Sequence, residues 1–209
     1  MVISHEKIEY AMAADVIGSD RYNGAFYYSR EIVKYFIPKI KTDRNWITVN
    51  FKDSHIGCSH AIVFVHNHEH CPEWYEWLSK YDDLILVCSK RDDMAKVEHL
   101  GKPIFLPLSV DVEEVQKYKR KKTKDVAFAG RHERAKELDL RGGMDYISNI
   151  PREKFLAELA KYKKVYALDR CAIEAKILGC ELLSPDEWEI IDSRDAADML
   201  QKELDKIDR

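Results

Sequence analysis

Five short runs of apolar residues constrain this chain most: AIVFV (Ala61–Val65), LILVC (Leu84–Cys88), PIFLPL (Pro103–Leu108), DVAFA (Asp125–Ala129) and VYAL (Val165–Leu168). None alternates apolar with polar residues, as a strand with one wet face would. A strand apolar throughout is covered on both faces, the condition of a parallel sheet between helix layers. The segments between the runs carry helical spacing, so the pattern is βα repeated, and the fold class is α/β.

The helices can be read from their ends. AFYYSREIVKYF (Ala25–Phe36) spaces Phe26, Ile32, Val33 and Phe36 for one face, and Pro38 stops it. PEWYEWLSKY opens on Pro72. SKRDDMAKVEHL offers Ser89 as its cap and Gly101 as its stop. In SNIPREKFLAEL, Ser148 or Asn149 is the expected cap, with Pro151 in the first turn and Phe155, Leu156 and Leu159 on one face. A last helix from near Ser193 stripes Ala196, Ala197, Leu200, Leu204 and Ile207. WITVNF (Trp46–Phe51), MDYIS and CELLS (Cys180–Ser184) are further expected strands, and IEYAMAADVI (Ile8–Ile17) reads as a strand or a short helix.

KYKRKKTK (Lys117–Lys124) interrupts the rhythm with six basic residues in eight. It is expected to be a solvated linker, with contact to nucleic acid or an anionic substrate as the sharper option. The resulting division is an N-terminal half, 1–112, a basic linker, 113–124, and a C-terminal half, 125–209.

The 209 residues suit one α/β domain or two small ones, and 45% hydrophobic content is enough for a core. A formal net charge of −3 does not advertise a nucleic-acid binder. No apolar run reaches membrane-spanning length, and the first ten residues are too polar for a signal peptide, so the expected location is cytoplasmic. Five cysteines without a CxxC pair read as reduced, mostly buried thiols.

Chemistry gathers in the second half. Gly130 and Arg131 end the strand DVAFA, Lys136 follows, and Glu174 sits in the small-residue helix of CAIEAKILGC. Arg and Lys supply charge for phosphates, Gly lets backbone approach a ligand, and Glu can accept from a ribose diol. The bland alternatives are surface cations past a strand end and a carboxylate favoured by the helix dipole. Asp169 and Arg170 sit just before the helix, able to touch phosphate or donor sugar, with capping an equal role for Asp169.

In the first half, VHNHEHC places His66, His68, Glu69, His70 and Cys71 after a strand. Extended backbone would aim the three imidazoles one way, a zinc-like spacing, but no distant ligand set completes it and no metal site is assigned. His66, at the carboxyl end of the strand, is the candidate general base. The other reading is a structural polar loop.

These pieces, in this order, resemble a compact GT-B glycosyltransferase of the glycosyl transferase group 1 (family 4-like) kind. The likeness rests on PLSVD (Pro107–Asp111), on Gly130, Arg131 and Lys136, on SNIPREKFLAEL, and on Glu174, Ala175 and Gly179. It implies two small Rossmann-like parallel-sheet halves facing a cleft. It also implies transfer of a sugar from a nucleotide diphosphate donor to an unidentified acceptor, with no cofactor or metal required. Gly130, Arg131, Lys136, Asp169, Arg170 and Glu174 would hold the nucleotide-sugar. His66, or Asp15 in the N-terminal loop with Asp20, Asn23 and Gly24, would serve the acceptor.

The chain departs from the pattern by being short, with an abbreviated stretch between Arg131 and Ser148. Tyr166 stands where many retaining members have a donor-sugar carboxylate. A non-catalytic nucleotide or nucleotide-sugar binding module is therefore an alternative. A glycosyltransferase acting on modified DNA bases is another, suggested by Trp74, Tyr75, Trp77 and the basic stretch. A metal-dependent hydrolase using the histidines ranks lower.

Overall fold

The buried strands expected from the sequence form two sheets. The computed structural model describes residues 2–3, 24–47, 60–65, 77–80, 82–130, 144–185 and 188–208. These residues fall into two compact units, one holding Ala25–Pro107 and Arg194–Arg209 together with the first strand, the other holding Leu108–Ser193.

The first unit carries β1 (Val2–Ile3), β2 (Asn45–Ile47), β3 (His60–Val65), β4 (Asp83–Cys88) and β5 (Lys102–Phe105), in the spatial order β1-β2-β3-β4-β5. β1 is antiparallel to β2 and every other pair is parallel. After its first residue β3 is buried throughout, as is β4, so their apolar runs need cover on both faces. On one face Ala61, Val63, Val65, Leu84, Leu86 and Cys88 pack with Val97 and Leu100. On the other, Phe64 stacks on Trp46 at 6.1 Å and meets Tyr28 and Phe36 edge-on, each at 5.8 Å. Tyr28 comes from α1 (Gly24–Glu31), and Phe36 from the π turn that continues it (Ile32–Phe36). Pro38 follows that turn, as expected of a stop. α2 (Arg91–Val97) starts from Lys90 in extended backbone without a side-chain cap, so Ser89 is not the cap.

The second unit holds α3 (Val112–Gln116), β6 (Lys124–Ala129), β7 (Asp145–Ile147), α4 (Arg152–Leu159), β8 (Tyr162–Ala167), α5 (Asp169–Ile177) and β9 (Glu181–Leu182). Its sheet is wholly parallel, in the order β7-β6-β8-β9. Ala127, Ala129, Val165 and Ala167 share one face and are buried. Phe128 shares the other with Tyr146 and Tyr166, its ring 6.1 and 6.2 Å from theirs. Leu156 and Leu159 of α4, with Ala172, Ile173 and Ala175 of α5, are fully enclosed.

The basic stretch 117–124 lies inside the second unit rather than between compact bodies. Lys122 donates to the carbonyl of Leu178 at 2.9 Å and lies 3.1 Å from the Cys180 thiol, closing the C-terminal end of α5. Lys124 opens β6 and bonds Glu158 at 2.7 Å and Tyr162 at 2.8 Å.

The chain leaves the second unit alongside the stretch by which it entered. Val110 and Asp192 form a parallel bridge, and the hydroxyls of Ser109 and Ser193, both fully buried, lie 3.2 Å apart. Asp111 caps α3 by accepting from the Glu114 amide at 3.0 Å, and Asp192 accepts from the Val112 amide at 3.1 Å. From there α6 (Ser193–Ile207) returns to the first unit, where Lys39 pairs with Asp198 at 2.6 Å and the Lys41 amide reaches Gln201 at 2.7 Å. Ala196, Ala197, Leu200 and Leu204 form its buried stripe. Among the described residues no helix is long and apolar enough to cross a membrane.

Candidate functional site

In an open parallel sheet, ligands approach the carboxyl ends of the strands where successive connections leave in opposite directions. The order β7-β6-β8-β9 contains one such reversal. The connection after β6 runs to β7 on one side, and that after β8 runs to β9 on the other. The switch point is the carboxyl edge of β6 and β8.

Past the ends of β6, β7 and β8, the described residues include three with positive φ. Gly130 ends β6 with φ 151°, Asn149 follows β7 with φ 52°, and Asp169 follows β8 with φ 51°. Gly130 donates its amide to the carbonyl of Ile147 at 3.1 Å. A Cβ there would stand 3.3 Å from the Phe128 ring, so backbone and space both require glycine. Asn and Asp tolerate the left-handed region better than other side chains, and unusual backbone of this kind gathers where chains bind ligands. Asp169 is the first residue of α5, with Leu168 as N-cap, so the capping role considered for Asp169 is not what the structure has. Pro151 likewise takes the N-cap place of α4, where Ser148 or Asn149 was expected.

The helices that follow these turns bring three charged groups together. The Glu174 carboxylate accepts from Arg170 Nε at 2.7 Å, one turn earlier on α5, and from Arg152 Nη1 at 2.7 Å, at the start of α4. Both bonds land on Oε1. Glu174 is 1% exposed, and the side chains of Arg170 and Arg152 are 4% and 10% exposed. Arg152 Nε also lies 3.6 Å from the half-exposed Glu114 of α3. Burying one carboxylate with two guanidinia offsets its desolvation, since a lone buried charge costs several kcal/mol. Beside them the Cys171 thiol is pushed up to about 12, first by burial and then by the Glu174 charge, so it stays protonated. Cys88, Cys171 and Cys180 are all free.

Of the residues expected to hold a nucleotide, Gly130 and Asp169 are placed at the switch-point edge, with Arg170 and Glu174 on the helix that starts there. Arg131, Lys136, Asp15 and His66 lie outside the described residues, as does the rest of VHNHEHC. Tyr166 packs beside Phe128 on the sheet face. Among the described residues no group of three or more His, Cys, Asp or Glu could hold a metal ion.

Arg152 is the member of this group that the sequence reading passed over. A signal was present. Arg152 and Arg170 both sit in the first turn of a helix, where the dipole disfavours a cation. Two such arginines call for a buried anion between them, and Glu174 is that anion.

No protein-family model, curated protein or solved structure matches this chain.

Proposed function

We propose that this chain is a glycosyltransferase that binds a nucleotide diphosphate sugar at the carboxyl edge of β6 and β8 and transfers the sugar to an acceptor. The reading is carried by one observation: the strand order reverses at β6/β8, and the chain there turns through Gly130 and Asp169 in left-handed backbone. That edge suits a phosphate-bearing ligand, because bare backbone at Gly130 allows close approach. Arg131 and Lys136, directly beyond β6 in sequence, would neutralise the diphosphate. Charge grows on the leaving phosphate oxygens during transfer, so fixed cations there stabilise the transition state more than the ground state. Glu174 would accept from the ribose, and His66 or Asp15 would activate the acceptor.

Calorimetry with UDP, GDP, ADP and their sugars tests the reading. Binding of at least one is expected, and silence toward all of them by folded protein removes it. Arg131→Ala is expected to weaken diphosphate binding by roughly 1.5–3 kcal/mol, about tenfold or more, and to leave nucleoside binding nearly unchanged. Equal affinity of variant and parent for the diphosphate removes Arg131 from the site.

One observation favours a second reading. Tyr166 replaces the donor-sugar carboxylate implied by the family resemblance, and its ring is engaged with Phe128. A module that binds the nucleotide without turnover fits this, and would show binding with neither hydrolysis nor transfer across a broad acceptor set.

A further inference from the structure

The basic stretch 117–124 divides in two. Lys122 and Lys124 are engaged, with the end of α5 and with Glu158 and Tyr162. Lys117, Lys119, Arg120 and Lys121 are all exposed. Among the described residues no carboxylate pairs with any of these four, and their one side-chain bond runs from Arg120 Nε to the Tyr118 carbonyl at 3.4 Å. The acids around the amino edge of the second sheet are already taken. Asp125 pairs with Lys163 at 2.8 Å, Asp145 and Glu158 with Lys124 at 3.4 and 2.7 Å, and Glu181 with Lys164 at 3.2 Å. The run itself holds no acid. Lys119 passes beside Gly179 at the end of α5, whose C-terminal dipole of about half a charge offsets only a fraction of one cation.

Four exposed cations within five residues suit a polyanion. A lipid surface is the poorer match, because lasting attachment takes a second, apolar anchor and Lys117–Lys121 holds no aliphatic residue. An acidic peptide carries at most one charge per residue, or roughly 3.3–3.6 Å of extended chain. A nucleic-acid duplex carries one per about 1.7 Å of its axis, with condensed counterions whose release drives binding. The chain's net charge of −3 does not oppose this strongly, since charges more than about 10 Å away are largely screened at 0.1 M salt.

We propose that Lys117, Lys119, Arg120 and Lys121 form a docking surface for the phosphate backbone of a nucleic-acid duplex. Contacts to phosphate carry no base information, so the docking is indifferent to sequence. The surface lies at the amino edge of the second sheet, where β6 begins and α5 ends, and so at the opposite end from Gly130 and Asp169. The inference is therefore independent of the nucleotide reading.

The test is a salt dependence. The full chain is titrated into a labelled DNA duplex of arbitrary sequence at about 50 and about 200 mM salt. Four phosphate contacts give log affinity a slope of about −3.6 against log salt, so the parent's affinity should fall about 150-fold between those concentrations. In Lys117→Gln/Lys119→Gln/Lys121→Gln one contact remains, and the fall should shrink to about 3.5-fold. An unchanged urea midpoint is expected, because these side chains are exposed and hold no carboxylate. If the triple variant does not fold, Arg120→Gln decides, with a fall of about 40-fold expected. Lys90→Gln/Lys202→Gln/Lys206→Gln lowers the net charge equally from the first unit and should keep the parent's salt dependence.

A parent without measurable affinity for the duplex at about 50 mM salt overturns the inference. So does a triple variant, or Arg120→Gln in its place, with the parent's salt dependence. A first-unit control that loses as much as the triple variant also overturns it, since binding would then follow net charge alone. Vesicles containing phosphatidylserine, tested beside the duplex, should bind more weakly, and vesicle binding without duplex binding would assign the surface to lipid instead.

Discussion

The chain lays down the strands of its two sheets differently. From β2 to β5 each new strand of the first sheet is added on the same side as the last, whereas in the second sheet β7 goes to one side of β6 and β8 to the other. Only the second described order has a reversal, the feature that marks the ligand edge of open parallel sheets. The interiors differ in the same sense. The first sheet carries an aromatic cluster around Phe64. Both units bury acidic residues, Glu31 and Asp93 in the first, but only the second is described with a buried acid, Glu174, held between two arginines. One core is held by packing, which is indifferent to small changes in direction. The other contains hydrogen bonds whose geometry fixes where oxygens point, a property useful to a binding edge and costly to a scaffold.

This contrast is broken most severely by removing the centre of each interior. Phe64→Ala takes away the ring that touches Tyr28, Phe36 and Trp46, and should cost about 3–5 kcal/mol in urea unfolding. Glu174→Ala leaves two buried guanidinia without their shared anion, and should cost about 3–5 kcal/mol. The two losses are alike in size and differ in rescue. Replacing Arg152 and Arg170 as well, with apolar residues of similar volume, should return most of what Glu174→Ala loses, because the buried charge is then gone. No second substitution of that kind restores a missing aromatic ring. If the triple variant is no more stable than Glu174→Ala, charge burial is not what holds this part of the second unit.

The strands were legible because a run such as LILVC has one physical outcome, burial on both faces, and β4 is that run. The end of the last helix stripe was legible for the same reason. Partners within the basic stretch were not legible, because a count of lysines says nothing about them: Lys122 closes α5 and Lys124 starts a strand, each with a bond to a residue more than 30 positions away. Caps misled at Ser89 and Asp169, where a side chain suited to capping sits one residue from the true boundary. Of the candidate site, Gly130, Asp169, Arg170 and Glu174 were proposed from their order along the chain, and the structure gives their positions without testing that role. Arg152 was not, because its meaning depends on α4 and α5 being neighbours, which no local pattern records.

A cross-link between the two buried serines tests the entry and exit strands of the second unit. Their hydroxyls are 3.2 Å apart and the residues are separated by 84 positions. The double variant Ser109→Cys/Ser193→Cys should form a disulfide under mild oxidation; chain entropy for a loop of this length sets a ceiling of about 4.5 kcal/mol, and about 2–4 kcal/mol of stabilisation is expected. Free thiols in folded, oxidised protein would show that these strands do not run side by side. In the comparison between units, this variant separates stability that comes from how the chain closes from stability that comes from either interior.

Acid sharpens the comparison further. In the second unit, the hydrogen bond from Lys124 holds Glu158 below its usual range, and bonds from Tyr162 and Lys124 do the same for Asp145. In the first unit, burial works to raise Asp83 but Arg44, at 2.7 Å, outweighs it and the group is lowered. A carboxyl group lowered by folding contributes stability that is present above its unfolded value, near 3.8 for Asp and 4.5 for Glu, and is lost as pH falls through the folded value. Lys124 is raised, first by Glu158 and then by Tyr162, so its contribution is full below the ordinary lysine range and fades as pH rises beyond it. The urea midpoint should therefore be flat from about pH 5 to 9 and fall on both sides. Glu158→Gln should flatten both limbs, while Asp83→Asn should flatten only the acid one. Matching effects on the alkaline limb would place the lysine's partner elsewhere.

The smallest expected effect is at Gly179, where α5 ends. Leu178 is its C-cap, Gly179 follows with φ 79°, the Gly179 amide donates to Lys176 and the Cys180 amide to Ala175. This left-handed ending satisfies the last helical carbonyls, and any other L-residue meets it with steric strain. Space is not the difficulty, since a Cβ would find only the end of Lys119, at 3.7 Å. Gly179→Ala should therefore cost about 1 kcal/mol, and Gly179→Asn less, because asparagine adopts this region more readily. Gly130 differs on both counts. Its φ of 151° lies outside what asparagine relieves, and its Cβ would press on the Phe128 ring. Gly130→Asn should thus be worse than Gly179→Asn, whatever ligand is present. Equal costs at the two glycines would mean that the edge of β6 relaxes easily. It would then lack the rigidity that a binding crevice at that edge requires.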